Sequence, residues 1–216
     1  MQSIIKCVPH DGGRMQEHYY SRRPEVASSP ETTSYKYIGR TFTFTTDAGV
    51  FSKGKVDRGT DLLLEALQGV SCESFLDMGC GYGPVGVCYK AAHPETAVFM
   101  GDINERACEL AEKNSSQNGV STSVRQTDGF QAFEGIKFNC IAMNPPIRAG
   151  KEVLRRLMSE AKVALTGGGR LYIVIRTRQG ASSMKDYLDG LFGNCEDVER
   201  GSGYRVLMSR KLLPEK

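Results

Sequence analysis

The chain has 216 residues, 40% hydrophobic and 25% charged, with a formal net charge of +3. That is ordinary globular composition, enough for one large domain, or a domain with an extension, to bury a core without staples. No apolar run approaches the roughly 18 residues of a membrane span, and the opening MQSIIKCVPHDGG lacks the apolar centre of a signal peptide, so membrane insertion and export are not expected.

Seven scattered cysteines and three histidines form no C-x-x-C pair. This argues against structural zinc and for reduced thiols in a cytoplasm. The small positive charge permits a polyanionic partner without requiring one. Basic residues gather locally at Arg22 and Arg23, at Lys53, Lys55 and Arg58, at Arg148, Lys151, Arg155 and Arg156, and at Arg176 and Arg178.

Residues 1–35 are polar and proline-punctuated, and read as an irregular arm; Met15 is an alternative start, and Tyr19 and Tyr20 read as packing aromatics. RTFTFTTD alternates over 40–47 and predicts a half-buried strand, with VFSKGKV at 50–56 as the second strand of a hairpin. DRGTDLLLEALQG at 57–69 predicts a helix capped by Thr60 or Asp61 and closed at Gly69. From Ser74 onward strands and helices alternate. Strands are expected at 74–79, 96–102, 121–128, 138–144 and 170–175, with helices at 84–92, 104–119 and 151–165, the last ended by Gly167, Gly168 and Gly169. That rhythm implies right-handed βαβ units and a mostly parallel sheet. A helix at 182–192 and two strand-like runs about GSG, 194–200 and 204–210, predict an antiparallel hairpin at the sheet edge.

FLDMGCGYGPVG places Asp77 at a strand end, then Gly79, Gly81 and Gly83 before a helix. A glycine loop at a first βα turn lets backbone approach a ligand. A carboxylate beside it would repel a pyrophosphate and suits a ligand carrying a cationic amino group. Asp102 ends the next strand, where a carboxylate can accept from both hydroxyls of a ribose, and Asp128 ends the third, where it can accept from an adenine amino group. Asn144, Pro145 and Pro146 end the fourth strand on the same edge. The prolines hold the backbone extended, so the Asn144 amide oxygen and the Pro145 carbonyl form a rigid pair of acceptors for one –NH₂ group. Such a pair would orient the lone pair of an exocyclic amine and stabilise the charge developing on it.

Taken together, LDMGCGYGPVG, DIN and MNPPI resemble the motifs of class I S-adenosylmethionine-dependent methyltransferases. TDAGVFSKGKVDRGTDLLLE, NPPIRAGKEV, IRTRQGASS and FGNCEDVERGSGYRVLMSRK resemble the "methyltransferase small" family, whose longer members include ribosomal RNA small-subunit methyltransferase C. The resemblance spans 19–211. It implies a Rossmann-like α/β fold of seven strands with the C-terminal hairpin and an N-terminal hairpin, a methyltransferase domain over 36–216, and S-adenosylmethionine as cofactor with S-adenosylhomocysteine as product. It places Asp77, Gly79, Cys80, Gly81, Asp102, Ile103, Asp128, Gly129 and Asn144 at the cofactor, and Asn144, Pro145 and Pro146 at the reacting amine. Ile147, Arg148, Lys151, Phe51 and Lys53 would meet the substrate, and no metal is implied. Characterised members methylate guanine N2 in ribosomal RNA, so ribosomal RNA or the small ribosomal subunit is the implied partner.

Two departures matter. Ile147 follows the prolines where many amino-methyltransferases carry Tyr or Phe that stacks on a base. The long relatives also have an additional N-terminal domain for which this chain lacks the length. The motif leaves adenine N6 and a protein glutamine amide open as targets, and leaves monomer and homodimer open. A non-catalytic RNA-binding module with a relic cofactor pocket is disfavoured by the intact Asp102 and Asn144, and a nicotinamide dehydrogenase by the lack of a catalytic His or Lys constellation.

Overall fold

The computed structural model describes residues 22–213; Met15, Tyr19, Tyr20 and Cys7 lie outside that span. The first elements are β1 (Glu31–Tyr37) and β2 (Arg40–Thr46), an antiparallel pair. Ile38 and Gly39 join them, both at positive φ (45° and 71°), the signature of a two-residue type I′ hairpin turn. The expected hairpin therefore forms with a different partner. β2 pairs backward with residues expected in the arm, and 50–56 is a run of turns. Positive φ at Gly49, Ser52 and Gly54 prevents that run from extending, and the Gly54 N–H donates to Thr46 Oγ1.

Next comes α1 (Arg58–Ala66). Its cap is Asp57, not Thr60 or Asp61: the Asp57 carboxylate accepts the N–H groups of Gly59 and Thr60, the donors a helix start leaves unpaired. The alternating region follows as β3 (Ser74–Met78), α2 (Pro84–Ala92), β4 (Ala97–Asp102), α3 (Glu105–Gln117), β5 (Ser123–Gln126), β6 (Phe138–Met143), α4 (Lys151–Ala164), β7 (Leu165–Arg176), α5 (Ala181–Phe192), β8 (Glu196–Gly201) and β9 (Tyr204–Arg210).

The strand expected over 121–128 is shorter, β5 covering only Ser123–Gln126, so Asp128 follows the strand instead of ending it. Gly167, Gly168 and Gly169 do not end α4; the chain turns extended at Leu165, and the glycines sit inside β7. The pairing jumps there from Phe138↔Leu165 to Cys140↔Arg170, so β7 takes up extra residues against β6. Glycine allows this irregularity because Gly168 adopts φ 79°.

The seven-stranded sheet has the order β5-β4-β3-β6-β7-β9-β8, parallel except for β9, which runs antiparallel between β7 and β8. Strand order reverses between β3 and β6, so their carboxyl ends open a crevice. One face buries Leu62, Leu63 and Leu64 of α1, Val85, Val87, Cys88 and Tyr89 of α2 and Ala107, Leu110 and Ala111 of α3. The other buries Leu154, Leu157, Met158 and Ala161 of α4 and Met184 and Leu188 of α5. Both faces are covered, which is why the central strands read as apolar runs. The β1–β2 hairpin is fastened to α3 by Asn114 and Asn118, one helical turn apart, whose amides donate to and accept from the backbone of Thr45 and Thr43. Among the described residues no helix is long and apolar enough to cross a membrane.

Candidate active site

A cavity of about 670 Å³ opens at the carboxyl edge of the sheet, within the size range of small-molecule sites. The glycine loop forms its floor. Gly79, Gly81 and Gly83 all have positive φ (73°, 56° and 87°), a backbone that side chains disfavour. The N–H groups of Gly79 and Cys80 both donate to the Gly101 carbonyl at the end of β4. This pins the loop while leaving its outer surface to the cavity.

The carboxylates are built into that loop. Asp77 is buried, and its Oδ2 accepts the Gly86 N–H in the first turn of α2 over 3.0 Å. Burial pushes the Asp77 carboxyl up to about 7; the nearby Asp102 charge adds to that, and the Gly86 donor opposes it. Asp102 Oδ2 accepts from Gly81 N–H at 2.8 Å and its Oδ1 from Asn104 N–H at 2.9 Å. Burial also raises Asp102, against the pull of these donors and of the Ile103 N–H. Cys80, wedged among these acids, has its thiol pushed well above the ordinary range, by burial first, which makes it a neutral filler.

Asp128 borders the cavity just beyond β5, where Arg156 donates to its Oδ1 at 2.6 Å; the same guanidinium reaches Glu160 at 3.2 Å. Ile103 and Gly129 also line the cavity. The basic group of Arg156 is thus occupied by two carboxylates. A cavity edged by Asp77, Asp102 and Asp128 fits a cationic ligand with a ribose, such as S-adenosylmethionine, better than a pyrophosphate. These residues could hold it.

Asn144, Pro145, Pro146 and Ile147 line the same cavity from the end of β6, the strand next to β3. The Asn144 Nδ2 donates to Thr60 Oγ1 at 3.2 Å and to Asp57 Oδ2 at 3.4 Å. A carboxylate only accepts, so the NH₂ end of the amide must face it, and Oδ1 turns away. The Pro146 carbonyl accepts from Ala149 N–H at 2.8 Å and starts a short 3₁₀ turn, Ile147–Ala149.

The expected substrate residues separate. Phe51 lines the cavity and is 44% exposed, and Ile147 lies half-buried at the rim. Lys53 and Lys151 are not among the lining residues: Lys53 pairs with Glu31 at 3.0 Å and with Ser29, and Lys151 is exposed at the start of α4. The Arg148 side chain lies outside the described part of the structure.

Several lining residues were not legible as such from the sequence: Asp57, Thr60, Arg156, Arg176, Gln179 and Tyr204. Thr60 carried a helix-start signal and Tyr204 a strand signal. Neither pattern tells that α1 and β9 meet beside Asn144.

Residues 41–208 match the family described as "Methyltransferase small domain". The chain is 39% identical over 201 residues to the uncharacterized protein YbxB of Bacillus subtilis (strain 168), covering 92% of this chain and 100% of that protein. It is 32% identical over 165 residues to ribosomal RNA small subunit methyltransferase C of Pseudomonas putida (strain GB-1), covering 73% of this chain and 48% of that protein. Among solved structures, the T. thermophilus 16S rRNA N2 G1207 methyltransferase (RsmC), in complex with AdoMet and guanosine, superposes with a TM-score of 0.77 at 27% identity, over 87% of this chain and 52% of that one. The chain therefore spans about half the length of these ribosomal RNA methyltransferases.

Proposed function

This chain belongs to the methyltransferase small domain family and is an S-adenosylmethionine-dependent methyltransferase, and from that premise we propose that it methylates the exocyclic N2 amine of a guanine in small-subunit ribosomal RNA. The observation that carries the reading is the Asn144 amide. Its nitrogen end is held by Thr60 and Asp57, and its oxygen is left as an acceptor on the edge marked by the acidic cofactor cavity. An acceptor in that place suits a planar –NH₂ donor.

Asp77, Gly79, Cys80 and Gly81 would cradle the cofactor's charged end, Asp102 with Ile103 its ribose, and Asp128 with Gly129 its adenine. When bound, S-adenosylmethionine supplies a methyl group activated by a cationic sulfonium. The work left to the chain is positioning. Asn144 Oδ1 and the Pro145 carbonyl accept the two N–H bonds of the target amine and aim its lone pair. They also lie where positive charge develops on nitrogen, and oriented acceptors stabilise it there. The methylated nitrogen is an acidic cation that gives its proton to water, so no side-chain base is required.

Ile147 packs but cannot stack. Phe51, which is partly exposed on the same cavity, would supply the aromatic face for a base turned out of its helix. Arg148 and exposed Lys151, directly after the amine site, would meet backbone phosphates.

The test is transfer from methyl-labelled S-adenosylmethionine to small-subunit RNA isolated from cells lacking the protein, followed by nucleoside analysis. Labelled N2-methylguanosine is expected. Labelled N6-methyladenosine would move the target to adenine, and label found in protein glutamine instead of RNA would overturn the RNA reading.

A further inference from the structure

The motif TDAGVFSKGKVDRGTDLLLE lies ahead of the Rossmann sheet and contributes none of the acids proposed to hold the cofactor, yet its Asp57 and Thr60 lie beside Asn144. Resting on the reading that Asn144 Oδ1 accepts the target amine, we propose that Asp57 and Thr60 are positioning residues that set the rotation of the Asn144 amide, and that Tyr204 and Arg176 hold Asp57 in turn.

An asparagine amide has two orientations of nearly equal shape, related by a half-turn about χ2. Only one presents oxygen to an amine. The other presents an NH₂ to an NH₂, and the reacting nitrogen loses its acceptor. The backbone locked by Pro145 and Pro146 fixes where the side chain starts but not which way its amide faces. Asp57 resolves that choice, and Thr60 holds the amide in the chosen place. A flipped Asn144 would set its oxygen 3.4 Å from the Asp57 Oδ2, two acceptors face to face, and would keep the 3.2 Å contact with Thr60 Oγ1 only by turning that hydroxyl into the donor. Thr60 is buried, so no water can readily substitute.

Asp57 is itself held from three sides. Its Oδ2 receives the N–H groups of Gly59 and Thr60 at 2.9 and 3.4 Å, and its Oδ1 receives the Tyr204 hydroxyl at 3.4 Å. Tyr204 comes from β9, and its hydroxyl accepts from Arg176 Nε at 2.7 Å while that guanidinium lies 5.1 Å from the ring. Gly59 makes the convergence possible: a Cβ there would lie 2.9 Å from both Asp57 Oδ2 and Tyr204 Cε1. Capping α1 requires only the Oδ2 bonds to the helix N–H groups. The bonds to Asn144 and Tyr204 exceed that need and run from the cavity rim at Arg176 to the amine-binding oxygen.

The experiment measures kcat, KM for RNA, cofactor Kd and Tm for Asp57→Ser, Thr60→Val, Thr60→Ser and Tyr204→Phe, with Asn144→Ala in parallel. Asp57→Ser keeps a capping oxygen but is too short to reach Asn144 as well, and Thr60→Val keeps shape. Each is expected to lower kcat about 10-fold or more, the size of one lost oriented hydrogen bond, with KM, cofactor Kd and Tm nearly unchanged. Thr60→Ser should restore kcat, and Tyr204→Phe should lower it several-fold. Combining Asp57→Ser with Asn144→Ala should add nothing to the loss from Asn144→Ala alone. Wild-type kcat in Thr60→Val and Asp57→Ser, beside an inactive Asn144→Ala, would overturn the positioning role while leaving the amine reading intact. An active Asn144→Ala would overturn the amine reading itself. A kcat loss that tracks Tm and is not rescued by Thr60→Ser would reduce Asp57 and Thr60 to a helix cap, and Tyr204→Phe, which removes one hydroxyl from β9, decides the matter should both α1 variants fold poorly.

Discussion

Asp102 accepts the Gly81 N–H over 2.8 Å with one carboxylate oxygen while the other oxygen accepts from Asn104 over 2.9 Å. The carboxylate at the end of β4 thereby fixes both the glycine loop and the start of α3, and it stays at the cavity edge as a doubly anchored acceptor. An amide cannot copy this, because one of its ends is a donor that would face a backbone N–H. Asp102→Asn should lose one charge-assisted bond, about 1.5–3 kcal/mol. Isothermal calorimetry should show S-adenosylmethionine bound roughly 10- to 100-fold more weakly.

The buried Asp77 predicts a pH dependence. Its carboxyl is raised from 3.8 to about 7 in the folded chain, so between those values the folded state binds more protons than the unfolded one. Stability from this group is fully present below the lower value and is lost as pH rises through the upper one. Asp77→Asn keeps an acceptor for Gly86 and does not titrate. Its Tm should therefore gain on the wild type as pH rises from 5 to 8. If the cofactor's cationic end sits at Asp77, wild-type affinity should also tighten with pH across about 7, and Asp77→Asn should not show that change. Parallel thermal melts and calorimetry across that range check both.

Gly83 tests the packing under the loop. It holds φ 87°, and a Cβ there would lie 3.1 Å from the Ala111 Cβ and 3.2 Å from its Cα. Gly83→Ala forces a left-handed residue against the backbone of α3, costing about 1–3 kcal/mol. Tm should fall by roughly 3–10 °C.

These particulars also mark what the sequence could tell. The βαβ rhythm from Ser74 was legible because each helix and strand carries its own period, and α2 begins at Pro84 and ends at Ala92 as its pattern implies. Asp77, Gly79, Gly81, Asp102 and Asn144 were legible because strand ends in this fold share one edge, and all five line the cavity. Partner choice was not legible. The alternation of β2 shows a strand but not whether it pairs forward or backward, and only positive φ at Ser52 and its flanking glycines settled that. Asp57 and Tyr204 stand far apart in sequence and meet through tertiary packing, which no local period encodes. Arg156 reads as part of a basic helix face, yet it is held by Asp128 and Glu160.

Asn144→Ala removes the proposed amine acceptor while leaving the side chains of the glycine loop, the proposed cofactor cradle, in place. Methyl transfer should fall at least about 100-fold, as for loss of an oriented group at a reacting centre. Cofactor affinity should stay within about 2-fold, since the side chain's hydrogen bonds run to Asp57 and Thr60. Single-turnover transfer with calorimetry on the same preparation separates the two effects.

Guanine N2 methylation of small-subunit ribosomal RNA is decided by mapping that RNA from cells with and without this protein. One N2-methylguanosine should disappear when the protein is absent and return with the wild-type chain but not with Asn144→Ala. An unchanged set of small-subunit modifications would contradict it.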